Sequence, residues 1–244
     1  MPEAGEIQEI LDRIEGEVSK ENYALRELGF WKIVSSVKRD PSLIEKFGDQ
    51  IGRIDQKVFR ESAWLAVDAR LGHVVELIGT IFGVALIFYG LQNPGTVMGV
   101  SFVLSAFVLM TTLHPLSHYI VGRYFGIGFT FYFPDGPAMI EPTLKTDYAS
   151  YLKSSPRSRA MMHAIGPIVS TSVLLATGIM AFAYGAPTWS YLLLSALFLL
   201  NIPNEIMPPI LIKIGLKKIL FADLHKTDTY RALREWRIHR ELRS

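Results

Sequence analysis

The chain has no cysteine among its 244 residues, which excludes disulfides, thiolate metal sites and a cysteine nucleophile. Net charge is also scarce: 25 Lys and Arg against 23 Asp and Glu leave a formal +2, too little to mark a general nucleic-acid binder. The N-terminal stretch alternates acids with apolar residues and has no continuous apolar run. No cleavable signal peptide is therefore expected, and membrane insertion would rest on internal segments. Internal repeats and low-complexity tracts are absent too. What is abundant is apolar surface, at 50% hydrophobic residues and a mean hydropathy of +0.26. It is unevenly spread: the first 70 residues are rich in charge and most of the remainder is apolar.

In residues 3–21 the spacing of Ile7, Ile10, Leu11, Ile14 and Val18 predicts an amphipathic helix. A second helix is predicted from Asn22 to Val37, with Leu25, Leu28, Trp31 and Val34 on its apolar side. Asp40-Pro41-Ser42 reads as a break and restart, with Ser42 and Glu45 spaced as a capping box. Ile44, Phe47, Ile51, Ile54 and Val58 then give a third helix a packing seam. Residues 1–70 thus read as a soluble helical subdomain with no clustered chemistry, a cap or dimerisation arm.

Residues 71–213 read as the membrane core, an all-α integral membrane unit. Four apolar segments, at about 72–91, 97–121, 160–184 and 188–213, each approach the ~20 residues a bilayer crossing needs. The connections Gln92–Thr96 and Gly185–Thr188 contain no Lys or Arg. The opposite side carries Lys57, Arg60, Arg70, Arg123, Lys145, Lys153, Arg157 and Arg159. The positive-inside rule therefore places both termini and the 122–159 connection in the cytoplasm, in a multi-pass protein of the cell membrane. Within that connection Phe129, Phe131 and Phe133 alternate with Thr130 and Tyr132 ahead of Asp135-Gly136, the pattern of a short β-ribbon. Residues 214–244 are basic and amphipathic, and are expected on the anionic inner leaflet, with membrane lipids as partners.

The polar residues inside these spans fall at one depth. His114 and His118 lie in the cytoplasmic third of the second span, four residues apart. On a helix this stacks both rings on one face, about 6 Å apart at Cβ, as two ligands of one zinc ion require. His73, Glu76 and His163 enter from the first and third spans, Asn201 and Glu205 from the fourth. Polar groups at such depth are costly to insert and tend to serve function. Plainer roles stand beside this one: His73 as an interfacial residue, His163 as a hydrogen bond between helices, Glu76 as an acid facing a wet cleft.

The segment HPLSHYIVGRYFGI, residues 114–127, resembles the HELGH-type zinc helix of the site-2 protease family of intramembrane metallopeptidases. Arg159–Pro167, with its Ala-Ile-Gly-Pro ending, is similar to the family's third-span entry. LFLLNIPNEIMPP is similar to its Asn-containing last span, through Asn201 and the prolines after it. The resemblance covers about residues 95–210. It implies a zinc cofactor held by His114 and His118, a third ligand carboxylate from the fourth span, and transmembrane proteins as substrates or clients. Glu205 is the carboxylate available in that span. The sequence departs from the family at Pro115, where the family carries its general base. Proline also removes a backbone donor and is expected to kink the helix between the ligands.

Three functional readings follow. The chain is a metal-binding relative that does not hydrolyse peptides efficiently, or an active protease in which Glu76 serves as catalytic base, or a structural or transporter-like membrane protein whose histidines only join helices.

Overall fold

The computed structural model describes residues 3–135, 141–219 and 222–243, and they are mostly helical. Three helices, α1 (Ala4–Ser19), α2 (Phe30–Val37) and α3 (Pro41–Ser62), form the N-terminal part. Their apolar stripes meet in one core, with Ile7, Leu11 and Ile14 facing Phe30 and Val37 and the seam Phe47, Ile51 and Ile54. Two details differ from expectation. Helix α2 begins at Phe30 rather than Asn22, because Gly29 takes a left-handed φ of 80° and closes a run of turns before it. That start turns Phe30 and Ile33 inward and leaves Trp31 44% exposed. The cap of α3 is Asp40, whose carboxylate accepts from Ser42 N at 2.8 Å, with Pro41 pre-set for the first turn.

Three helices are long and apolar enough to cross a membrane: α4 (Ala69–Gln92), α5 (Thr96–Tyr124) and α7 (Pro156–Ala183). Their outer faces carry exposed apolar side chains such as Ile78, Ile81 and Phe82, the surface lipid favours. Their contacts with one another use small residues, which let backbones approach closely. Ser105 Oγ donates to the Gly83 carbonyl at 2.7 Å, and Thr80 Oγ1 donates to Thr112 Oγ1 at 2.9 Å. Helix α5 continues through Pro115 without interruption.

The fourth apolar segment is not one helix. It comprises α8 (Thr188–Asn201), a π-helical turn (Ile202–Ile206) and the short α9 (Pro208–Lys213). Pro203, Pro208 and Pro209 remove the backbone donors a single helix would need. The 14 residues of α8 span about 21 Å, short of the ~30 Å hydrocarbon layer.

Around the polar end of these helices lie a sheet and two more helices. Strands β1 (Val67–Asp68), β2 (Phe129–Asp135) and β3 (Glu141–Thr146) form an antiparallel sheet in that order, with Tyr132 opposite Leu144. The ribbon expected after Gly128 is therefore present; Gly136, in the turn expected at its tip, lies outside the described residues. Two-residue strands β4 (Lys218–Ile219) and β5 (Ala222–Asp223) pair with each other. Helix α6 (Tyr148–Lys153) lends Leu152 to the N-terminal core, and Lys145 of β3 reaches Asp55 of α3 at 2.6 Å. Helix α10 (Asp228–Glu241) buries Ala232, Glu235 and Ile238 and packs along α7.

Candidate metal centre

Helix α5 brings His114 and His118 together, as their spacing requires, with the two Nε2 atoms 3.1 Å apart. Each ring is held from behind. His118 Nδ1 lies 2.6 Å from the Met162 carbonyl. A carbonyl only accepts, so Nδ1 carries a proton and Nε2 is the ring atom turned toward a ligand. His114 Nδ1 is 2.8 Å from Ser170 Oγ. Both partners sit on α7, so one helix aims both imidazoles, the outer-shell support that metal-binding histidines characteristically have.

The carboxylate that meets the pair is Asp228, in the first turn of α10. Its Oδ2 lies 3.1 Å from His118 Nε2 and 3.3 Å from His114 Nε2. Its other oxygen, Oδ1, is 3.2 Å from His163 Nδ1, and His163 Nε2 meets the Tyr151 hydroxyl at 3.0 Å. Burial alone would raise the Asp228 carboxyl, but the three histidines outweigh it and hold the group well below the usual carboxylate range.

His114, His118 and Asp228 could hold a metal ion. Two observations test the fit. A tetrahedral centre with bonds of ~2.0–2.1 Å separates its ligand atoms by roughly 3.3 Å, close to the three distances of 3.1, 3.1 and 3.3 Å found here. Gly166 supplies room as well: a Cβ there would lie 2.7 Å from His114 Nε2 and closer still to His118 Nε2. The missing side chain leaves space where two ligand atoms converge.

The centre opens on a cavity of about 390 Å³ whose wall includes His163, Glu141, Glu205 and residues of β3. That strand is an edge of its sheet. Glu205 stands on the π-helical turn, and its backbone carbonyl accepts from Thr229 Oγ1, one residue beyond Asp228. Glu205 lines the same cavity, while the close contacts to the imidazoles belong to Asp228. Glu76 is buried on α4 and is not among the described residues lining that cavity. His73 bonds to the Tyr132 hydroxyl at 3.0 Å, away from the centre. Asn201 donates to Thr171 Oγ1 at 3.0 Å, tying the end of α8 to α7.

Asp228 escaped the sequence reading because it lies 110 residues from His118, in a basic segment that reads as a surface tail. The available signal was Thr227-Asp228 at a helix start inside a run of cations. Comparison of the chain with protein-family models, with curated proteins and with solved structures gave no match.

Proposed function

We propose that this chain is a membrane protein that binds zinc through His114, His118 and Asp228, and that it is a divergent relative of intramembrane zinc metallopeptidases lacking their general base. The single observation carrying this reading is the convergence of two imidazole nitrogens and one carboxylate oxygen at tetrahedral spacing. An N,N,O set of this kind suits zinc. When bound, the ion supplies Lewis-acid charge at the cavity floor. The chain's own residues do the rest: Met162 and Ser170 orient the imidazoles, His163 orients Asp228, and Gly166 leaves the space. Asp228 takes the part of the carboxylate that the resemblance implied, delivered from the helix after the fourth apolar segment. Pro115 has no proton-accepting side chain, which favours a binding or regulatory role toward transmembrane clients over efficient hydrolysis.

Purified protein should carry about one zinc per chain, and the His114→Ala/His118→Ala double variant less than ~0.2. Wild-type protein below that level would overturn the reading in favour of a purely structural or transporter-like role.

One observation favours hydrolysis as a second reading. Glu141 and Glu205 line the cavity beside edge strand β3, where an extended substrate could add as a further strand. The base would be one of these, or Glu76 acting from outside the lining. Loss of a general base typically costs 10²–10⁴-fold. On the regulatory reading, wild type should leave a transmembrane reporter uncut and Pro115→Glu should raise cleavage. Wild-type cleavage abolished by His118→Ala would establish the second reading, and Glu76→Ala, Glu141→Ala and Glu205→Ala would identify the base.

The basic end of the spanning helices, with both termini, is assigned to the cytoplasm of the cell membrane. Supporting this, the connections 93–95 and 184–187 lack Lys and Arg, while the sheet, α6 and α10 gather at the other end.

A further inference from the structure

Lys38, at the C-terminal cap of α2, reaches out of the N-terminal helices to Glu235 of α10, and both side chains are buried. The second oxygen of Glu235 accepts from Arg159 Nε at 2.7 Å. Arg159 also donates to the carbonyls of Leu152 and Ser154, at 2.9 and 2.8 Å. Glu235 follows Asp228 by seven residues, about two helical turns, so both face the same way. On α7, Arg159 and His163 are one turn apart. The two helices therefore make two parallel contacts, Arg159 with Glu235 and His163 with Asp228. A second route joins the same groups. Lys38 Nζ stands 4.8 Å over the Tyr151 ring, and the hydroxyl of that ring meets His163, which holds Asp228.

We propose that Lys38, Glu235 and Arg159 form a latch through which the N-terminal helices set the position of Asp228, making Lys38 a positioning residue for the metal centre. Burial pulls the Lys38 ammonium down to about 8 even though Glu235 opposes it. The cost of desolvating Lys38 thus offsets part of what its pairing with Glu235 contributes. A buried charge of that kind fits a device that specifies where α10 docks better than one that stabilises the fold. The metal part of this proposal rests on the zinc reading above.

The test uses the full-length protein in detergent, with zinc titration and hydrogen exchange on the same samples. Lys38→Met keeps the volume and leaves the Arg159–Glu235 pair. It should weaken zinc binding about tenfold or more, the usual scale for outer-shell groups, and raise exchange at residues 228–235 while α1 and α3 stay protected. Lys38→Arg should restore both. Lys153→Met, which removes the exposed contact of Lys153 with Asp49 at 2.6 Å, should change neither. Wild-type zinc affinity in Lys38→Met overturns the positioning role even if α10 exchanges faster. Unchanged exchange at 228–235 overturns the latch itself. Should wild type take up no zinc, the zinc reading fails alone, and the exchange result still decides the latch.

Discussion

Gly166 and Pro115 both matter to the centre for what they lack. In a helix interior alanine is favoured over glycine by ~1 kcal/mol, so Gly166→Ala should leave α7 helical. Its Cβ would nevertheless crowd both ligand nitrogens. The expected outcome is a tenfold or greater loss of zinc affinity with helix content retained, read by metal titration beside circular dichroism, and a stability loss of about 1–3 kcal/mol from the overpacking. Unchanged affinity would show that the ion does not sit against Gly166. At Pro115 the helix gives up one hydrogen bond to the Thr111 carbonyl, yet α5 runs on and presents His114 and His118 in register. The expected kink between the ligands is thus not an interruption of the helix. The pair was legible in the sequence because four residues on a helix is a local relation, independent of the remainder of the chain.

Among the elements, α10 decides whether the centre exists. Its basic composition reads as a membrane-surface helix, but its buried face carries Glu235 between Lys38 and Arg159, with Arg234 Nη2 3.9 Å away and Tyr148 and Tyr151 nearby. Burial would raise the Glu235 carboxyl; Lys38 and Arg159 outweigh it and lower the group from 4.5 to about 2. A carboxylate depressed on folding contributes stability above its unfolded value, and that contribution is lost as pH falls through the folded value. The docking of α10 should therefore hold at neutral pH and weaken between about 4.5 and 2. Hydrogen exchange at 228–241, compared over that range, should show the release. Glu235→Gln should release the helix already at neutral pH, and protection like that of wild type there would count against the ion cluster. None of this was legible locally. Arg159 and Glu235 are 76 residues apart, and no periodicity in either segment names the other.

For the whole molecule, the three-stranded sheet and α10 pack against α4, α5 and α7, and the absence of cysteine makes orientation simple to measure. Ser19→Cys and Gln92→Cys each introduce one thiol at an exposed position, the first ahead of membrane-length helix α4 and the second at its far end. In intact cells an impermeant thiol reagent applied outside should label Gln92→Cys and spare Ser19→Cys. The reverse pattern would invert the topology and place the centre near the outer face.

Hydropathy and helical periodicity are summed over neighbours in the chain, so they suffice for three membrane-length helices, for the seam of α3 and for a histidine pair facing one way. They failed where one residue's backbone or a distant partner ruled. Gly29 moved the start of α2, prolines divided the fourth apolar segment, and β1 is too short at two residues to carry any period. The histidine pair was determined by the sequence alone. Its carboxylate was decided by tertiary structure, because the helix bearing Asp228 meets the imidazoles through contacts with Arg159, His163 and Lys38 that join segments far apart in the chain.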